Sequence, residues 1–211
     1  MKKNNIIFDF DGVILDSNNV KTNAFYNLYL DYGKDIANKV KKFHLSNLGL
    51  SRYEKFKYYS KNILKSDIND KQIEILDKKF NSYVNSEILK CEFISGAIYI
   101  LNYLKDKKKK IFICTATPYY EIINTLKKLE IDHYFDKVYG SPENKSNNIN
   151  KIIYENSLDK KETIFIGDAI ADYNASLDND IDFIGVEGIE NFPKSVKILT
   201  ELNSLINLVK L

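Results

Sequence analysis

Two aspartates one residue apart close the first apolar stretch of the chain, in residues 5–13 (NIIFDFDGV). Because side chains alternate along a strand, Asp9 and Asp11 fall on the same side of it. In open α/β sheets, ligands bind at the carboxyl ends of the strands. Two carboxylates held close together repel each other, so they require a cation, a shared proton or a division of roles. The alternative is an acidic pair without function at a strand end.

Polar groups of the kinds that bind phosphate follow three further apolar stretches. Thr115 and Ala116 follow the second stretch, where a hydroxyl and free backbone amides before a helix can bind an anion. Lys145 follows the third, and Asp168 follows the fourth with Asp172 four residues later. Parallel strands present their carboxyl ends at one edge, so we expect these groups to converge with the aspartate pair. Taken singly, they could be helix caps, a solvated loop lysine and surface acids.

Acids, a hydroxyl and an ammonium at one sheet edge predict phosphate chemistry. Carboxylate oxygens favour Mg²⁺, which keeps several waters and binds substrate phosphate. The lysine and the threonine would then hold the remaining phosphate oxygens. Asp9 can attack phosphorus, since carboxylates form aspartyl-phosphate intermediates. Asp11 can protonate the leaving oxygen and afterwards activate water.

Helical patterns alone fill the chain between the first two strands. They cover residues 18–32, 40–48, 51–64 and 70–88, and the next strand is expected only after Cys91. A crossover between parallel strands needs only about a dozen residues. The excess predicts an inserted helical subdomain.

From Ile94 onward, short apolar strands alternate with amphipathic helices. The strands are predicted at residues 111–114, 137–140, 163–166 and 183–186, and a last helix at 196–209. This alternation is typical of a parallel sheet covered by helices on both faces. The sequence therefore predicts an α/β fold with a five-stranded parallel sheet.

The composition limits the possible binding partners and the cellular compartment of the protein. The chain has 211 residues, of which 44% are hydrophobic, and 31 basic residues nearly balance 29 acidic ones to give a net charge of +2. This balance favours neither a nucleic acid nor a membrane surface as partner. Two cysteines, Cys91 and Cys114, predict no disulfide framework or zinc site. Without a signal-peptide pattern or an apolar stretch of spanning length, we expect a cytoplasmic protein.

Four segments together resemble the motifs of the haloacid dehalogenase-like hydrolase superfamily in order and spacing. They are Asp9–Val13, Thr115, Lys145 and Gly167–Asp172, and the resemblance covers nearly the whole chain. The resemblance implies a Rossmann-like three-layer α/β/α core interrupted by a helical cap. Residues 1–16 and 93–211 would form that core, and residues 17–92 the cap.

The same resemblance implies a role for each motif residue. Asp9 would be the nucleophile, and Asp11 the acid and base through its side chain and a Mg²⁺ ligand through its backbone carbonyl. Asp168 would bind the metal, with Asp172 as a further acid close to it. The metal set would thus be Asp9, Asp11, Asp168 and Asp172, and the phosphate-binding set Gly12, Thr115, Ala116 and Lys145.

Two cap positions bear on the substrate. Residues 48–54 (LGLSRYE) resemble the substrate-facing cap segment of the phosphoglycolate phosphatase and β-phosphoglucomutase branch. Arg52 could bind a second anionic group of the substrate. Equally, Ser51 and Glu54 could form a capping box that starts a helix. Lys21 stands where many relatives carry histidine, and a solvated helix lysine is the expectation there. We interpret His44 and His133 as structural.

The sequence leaves three functions open. A phosphatase acting on a small phosphorylated metabolite is the first choice, because residues 167–172 keep the acid pair of phosphatase-like relatives. A sugar-phosphate mutase of the β-phosphoglucomutase type is the catalytic alternative. A non-catalytic binding or regulatory protein on the same fold is the third, since fold does not fix function. We expect a monomer or a homodimer.

Overall fold

A six-stranded, fully parallel sheet forms the centre of the protein. The computed structural model describes residues 2–208. The strands are β1 (Asn5–Phe8), β2 (Lys110–Pro118), β3 (Lys137–Ser141), β4 (Thr163–Gly167), β5 (Asp182–Val186) and β6 (Ile198–Leu199). They are arranged in the order β3-β2-β1-β4-β5-β6. The predicted α/β fold with a parallel sheet is confirmed, with six strands instead of five.

Strand β1 lies in the middle of the sheet because it is apolar on both faces. Ile7 pairs with Phe112 of β2 on one side and with Phe165 of β4 on the other. Its two neighbours along β1, Ile6 and Phe8, are completely buried. A strand without a polar side chain at these positions can exist only where helices cover both faces. Its carboxyl end therefore opens at the centre of the sheet edge.

Helices, turns and irregular loops, but no strand, occupy residues 18–90, all of which the structure describes. The helices are α1 (Asn18–Leu28), α2 (Lys34–Leu45), α3 (Arg52–Tyr58) and α4 (Asp70–Val84). Short 3-10 turns lie at Leu30–Tyr32 and Ile88–Lys90, and a π-helical turn at Tyr59–Leu64 extends α3. The prediction that no strand interrupts this segment is confirmed. Its assignment as a separate cap, with the bounds given above, stays a prediction.

Five more α-helices follow between residue 91 and residue 208, the last one that the structure describes. They are α5 (Ala97–Asp106), α6 (Tyr119–Lys128), α7 (Lys145–Glu155), α8 (Ile170–Asp178) and α9 (Leu205–Leu208). Within residues 2–208, none of the helices combines the length and the apolar character that crossing a bilayer demands.

The alternation of side chains along β1 sends them into two separate hydrophobic clusters. Phe8 belongs to a large cluster that includes α5 and α6 and continues into the helical segment through Phe25. Ile7 belongs to a smaller cluster with Ile149 of α7 and Ala175 of α8. Helices thus cover both faces of the sheet, as the sequence predicts, and the larger cluster joins the sheet to α1–α4.

The predicted last helix over residues 196–209 is wrong in its first half. Ile198 and Leu199 form β6 at the edge of the sheet, paired with Gly185 and Val186. Only the turn at Leu202–Ser204 and α9 are helical, and residue 209 lies outside the described residues. Spacing of apolar residues suggested the helix, but the free edge of β5 offers backbone hydrogen bonds that these residues take instead.

Candidate active site

Asp9 follows β1 directly, and protein groups hold both of its carboxylate oxygens. The amide of Phe10 donates to Oδ1 at 2.7 Å, and the Lys145 ammonium donates to Oδ2 at 2.7 Å. The strand pairing continues to this point, because the Asp9 amide donates to the Ile166 carbonyl at 2.9 Å. Asp9 is buried, so its orientation is fixed by the sheet and by the lysine.

Lys145 starts α7 and is only 6% exposed, so it is not the solvated loop lysine that the sequence taken alone would allow. Asn144 precedes it as N-cap, with its side chain accepting from the Asn147 amide at 2.8 Å. The ammonium contacts Asp9 and, at 2.5 Å, Oδ1 of Asp172. Burial alone would lower the pKa of Lys145, but the charges of Asp172 and Asp9 outweigh it and raise the pKa. Lys145 is therefore a permanent cation between two acids.

Asp168 and Asp172 complete a buried acidic group at the end of β4. Burial and the charges of Asp9 and Asp172 raise the pKa of Asp168 well above its ordinary value. Burial likewise raises the pKa of Asp172 to about 7, although Lys145 opposes this. Asn18 donates to Asp168 Oδ2 at 2.8 Å, and the Ala169 amide donates to Asp172 Oδ2 at 3.1 Å.

This acidic group fits a divalent cation. Asp9, Asp168 and Asp172 each offer a carboxylate oxygen, and these atoms lie within 4.8 Å of one another. Lys145 neutralises part of the charge, while Asp168 has no cationic partner among residues 2–208. Crowded carboxylates with raised pKa values indicate missing positive charge. Hard oxygen ligands of this kind are the ones that Mg²⁺ prefers.

Gly12 allows the loop after β1 to pass against Asp168. Its φ of +76° lies in the left-handed region, which residues other than glycine rarely adopt. A Cβ atom there would lie 2.1 Å from Oδ2 of Asp168 and 2.4 Å from Nδ2 of Asn18. The position is therefore closed to a side chain, whatever part its backbone takes in binding phosphate.

Asp11 is held in a polar network of its own. Ser17 donates to Oδ1 at 2.6 Å, and Thr117 donates to Oδ2 at 2.9 Å. Lys21 forms an ion pair with the same carboxylate. Burial raises the pKa of Asp11, but the charge of Lys21 and these hydrogen bonds outweigh burial and lower the pKa overall. In this arrangement Asp11 is an ionised carboxylate and can serve as a base.

The expectation that Lys21 is a solvated helix lysine is wrong. Its side chain is 17% exposed and reaches from α1 to the sheet edge, where it also donates to Thr117 Oγ1 at 2.7 Å. Sequence reasoning did not single out Thr117. Its place two residues after Thr115, on the same side of a strand, is the signal that could have found it.

Thr115 and Ala116 lie inside β2, since that strand continues to Pro118 and not only to Cys114. Pairing of Pro118 with Ser141 of β3, after a shift in register, carries the strand further than its apolar stretch. Thr115 is buried, and its hydroxyl accepts from the Thr117 amide at 3.2 Å. Both residues line the cavity beside Asp9.

Arg52 is buried among protein groups. Its Nε lies 2.7 Å from Asp77 Oδ1, one NH donates to Asn81 Oδ1 at 2.7 Å, and the other contacts Glu121. Asp77 and Asn81 belong to α4, while Glu121 belongs to α6. The capping box is also present, with Ser51 and Glu54 bonded reciprocally. Arg52 thus ties the helical segment to α6, and its charge is already balanced.

A cavity runs from the strand ends into the helical segment. At the sheet edge it is lined by Asp9, Asp11, Lys145 and Asp168. On the helical side, Phe25, His44, Lys55 and Phe80 line it. The sequence pointed to neither Lys55 nor a role for His44 beyond structure. Their exposure to this cavity comes from the packing of α1–α4, which no local pattern encodes.

Glu190, in the loop after β5, joins the helical segment to the active-site edge. Its Oε1 accepts from the Leu48 amide at 2.9 Å, and its Oε2 accepts from the Ile170 amide at 2.6 Å. At the same contact, a Cβ on Gly49 would lie 2.6 Å from the Cβ of Ala171. The segment around residues 48–50 therefore packs directly on the start of α8.

Comparison with known proteins places the chain in a family. The family model described as haloacid dehalogenase-like hydrolase matches residues 6–186, which is most of the chain. A curated relative, the phosphorylated carbohydrates phosphatase of Thermotoga maritima, is 27% identical over 137 residues. That match covers 64% of this chain and 60% of the relative's own length.

Solved structures share the fold over almost the whole chain. A β-phosphoglucomutase from Clostridium difficile has a TM-score of 0.81 at 24% identity, covering 96% of this chain and 93% of that one. A structure described as a predicted phosphatase from Clostridium acetobutylicum has a TM-score of 0.80 at 18% identity, covering 99% and 98%. At these identities the likeness concerns the fold.

Proposed function

The chain belongs to the haloacid dehalogenase-like hydrolase family, and from this premise we propose that it is a Mg²⁺-dependent phosphatase. The substrate is a small phosphorylated metabolite with a phosphomonoester group, and Asp9 forms a phospho-aspartate intermediate. One observation carries the proposal. The Asp9 carboxylate is held by Lys145 beside two further buried acids, and Asp9 lines a cavity that extends into the helical segment.

In the first step, Asp9 attacks phosphorus and forms a bond to it, while the bond from phosphorus to the ester oxygen breaks and that oxygen takes the proton carried by Asp11. Lys145 and the Phe10 amide hold the Asp9 oxygens in place, so little ordering remains for this step. Thr115 and Lys145 would hold phosphate oxygens, with the backbone of Gly12 and Ala116. Asp9, Asp168 and Asp172, with the Asp11 carbonyl, would hold Mg²⁺, which when bound offsets the negative charge of the phosphoryl group.

In the second step, water attacks the phospho-aspartate and releases phosphate. Asp11 takes the proton of that water, and its lowered pKa means that it is ionised and ready to do so. The proton gained by Asp11 is the one that the leaving oxygen needs in the next turnover. Ser17, Lys21 and Thr117 position the Asp11 carboxylate for both transfers.

The relative and the cavity both support this substrate class. The curated relative is named for phosphorylated carbohydrates, which are small phosphomonoesters. The cavity combines cations with aromatic rings, which suits a compact phosphorylated molecule.

The test is phosphate release from a panel of phosphorylated sugars, glycolate and nucleotides, with Mg²⁺ and with chelator. We expect release with Mg²⁺ and its loss in chelator, and Asp9→Asn abolishes it for every ester. Asp16→Asn is the matched control, because Asp16 is exposed in the same loop. Isomerisation without release would identify a mutase, and neither activity would leave a binding protein.

The roles of the two aspartates are tested separately. Asp11→Asn should reduce turnover of alkyl phosphates far more than that of an activated aryl phosphate, whose leaving group needs no proton. The phospho-aspartate should also accumulate, seen as a mass increase on the peptide containing Asp9. Equal losses for both ester types, without trapped phosphate, would contradict the assignment.

A further inference from the structure

Two polar side chains on the helical side of the cavity have no role in the mechanism above. Lys55 of α3 is 2% exposed and His44 of α2 is 3% exposed, and both line the cavity. Burying a lysine and a histidine in a small helical segment costs free energy unless they are paired or bind something. Their hydrogen bonds show which of the two applies.

One N–H of the Lys55 ammonium is not used in a hydrogen bond to the described residues. Its ammonium bonds to Nδ1 of His44 at 2.9 Å and donates to the Leu48 carbonyl at 3.2 Å. An ammonium has three N–H bonds, so one has no acceptor among the described residues. The face of the Phe25 ring lies 5.4 Å from the nitrogen, which is a weak contact only.

His44 has a donor to spare as well. A lysine ammonium only donates, so Nδ1 of His44 accepts and the ring proton sits on Nε2. Nε2 is buried and has no hydrogen-bond partner within residues 2–208. Burial and the neighbouring Lys55 charge lower the pKa of His44 to about 2, so the ring stays neutral in this tautomer.

Lys55 also differs from the other cations of the cavity. Lys145 contacts Asp9 and Asp172, Lys21 contacts Asp11, and Arg52 contacts Asp77 and Glu121. Across residues 2–208, no carboxylate lies within ion-pair distance of Lys55. A buried cation without its own counter-charge favours an anion over a neutral group in the space beside it.

We propose that Lys55 and His44 form the specificity site of the enzyme and bind a second anionic group of the substrate. The ammonium supplies charge and one N–H, and the imidazole supplies the Nε2 proton. This inference rests on the proposed phosphatase function and narrows it. The substrate is a phosphomonoester that carries a carboxylate or a second phosphate besides the one transferred.

The experiment compares esters that differ only in their distal group. It uses carboxyalkyl phosphates of increasing length, with hydroxyalkyl and alkyl phosphates of the same lengths. We expect kcat/KM to be at least tenfold higher for the carboxylate at the best length. Lys55→Met should reduce that preference to less than threefold, and His44→Phe should reduce it in part. Lys57→Met, at an exposed position of the same helix, is the control that keeps the preference.

A binding measurement separates this inference from the proposed function. Calorimetry in Asp9→Asn, with and without Lys55→Met, measures affinity for the same esters whether or not phosphate is released. A carboxylate preference that disappears with Lys55→Met supports the specificity site even if turnover is absent. Equal affinity for carboxyalkyl and alkyl phosphates, a preference for the hydroxyalkyl series, or a preference that survives Lys55→Met would overturn it. Circular dichroism confirms that each variant is folded.

Discussion

Replacing Lys55 with methionine should make the unliganded protein more stable. Burial and the charge of Lys21 lower the pKa of Lys55 from 10.5 to about 7, although Glu190 and Asp11 oppose this and Lys145 adds to it. At 1.36 kcal/mol for each pKa unit, this fall corresponds to about 5 kcal/mol of unfavourable free energy at low pH. Methionine has a similar volume but leaves the Leu48 carbonyl and His44 Nδ1 without a donor, which costs about 1–3 kcal/mol. The net expectation is a gain of about 2–4 kcal/mol.

The pH dependence gives this prediction its signature. The pKa of Lys55 is lower in the folded state than in the unfolded chain. Between about pH 7 and 10.5, the unfolded chain therefore holds a proton that the folded protein has released. The penalty from Lys55 is complete below about pH 7 and disappears as the pH approaches 10.5. Lys55→Met lacks it at every pH, so its advantage should shrink as the pH rises.

Urea unfolding followed by circular dichroism measures the effect at pH 6, 7, 8 and 9. The free energy of unfolding of Lys55→Met should exceed that of wild type most at pH 6, and the difference should fall steadily towards pH 9. Lys57→Met removes the same charge at an exposed position and should show no such trend. A less stable Lys55→Met at pH 6, or a difference independent of pH, would refute the reasoning.

Three further predictions concern other parts of the site. Asp168→Asn relieves carboxylate repulsion, so it should raise the melting temperature of the metal-free protein. It should also weaken Mg²⁺ binding at least tenfold in calorimetry, and an unchanged affinity would contradict the metal role. Gly12→Ala should lose at least 90% of the phosphate release and about 1–2 kcal/mol of stability, because φ at this position is +76° and Asp168 occupies the place of the Cβ atom. An active variant would be inconsistent with that packing. Arg52→Met should destabilise the protein by about 2 kcal/mol in urea, and combining it with Glu121→Gln should cost less than the sum, because the two share one ion pair; strict additivity would argue against the pair.

The local pattern of apolar residues predicted the structure correctly where a strand is buried on both faces. The apolar stretches before Asp9 and Asp168 predicted β1 and β4, and with them the carboxylates at one edge. Strand ends were harder, because the extension of β2 past Cys114 depends on pairing with β3. The last part of the chain was misassigned for the same reason, since β6 exists only because β5 leaves a free edge.

Contacts between side chains that are far apart in sequence could not be predicted from the sequence. The ion pairs of Arg52 with Asp77 and Glu121 join three helices, and no spacing within one helix encodes them. Lys21 looks like any surface lysine until α1 is docked on the sheet edge. The side chains of His44 in α2 and Lys55 in α3 meet only when the helical segment folds.

The central place of β1 has a consequence for how the protein is made. A ribosome completes Asn5–Phe8 first, but the β4 residues that pair with it come more than 150 positions later. At about 5–20 residues per second, the nascent chain carries this apolar strand without its β4 partner for roughly 8–30 s. Helices α1–α4, whose contacts are local, can form during that wait. The nucleophile is thus synthesised well before the β4 strand that completes its surroundings, and chaperones that shield extended apolar segments can act on β1 during that interval.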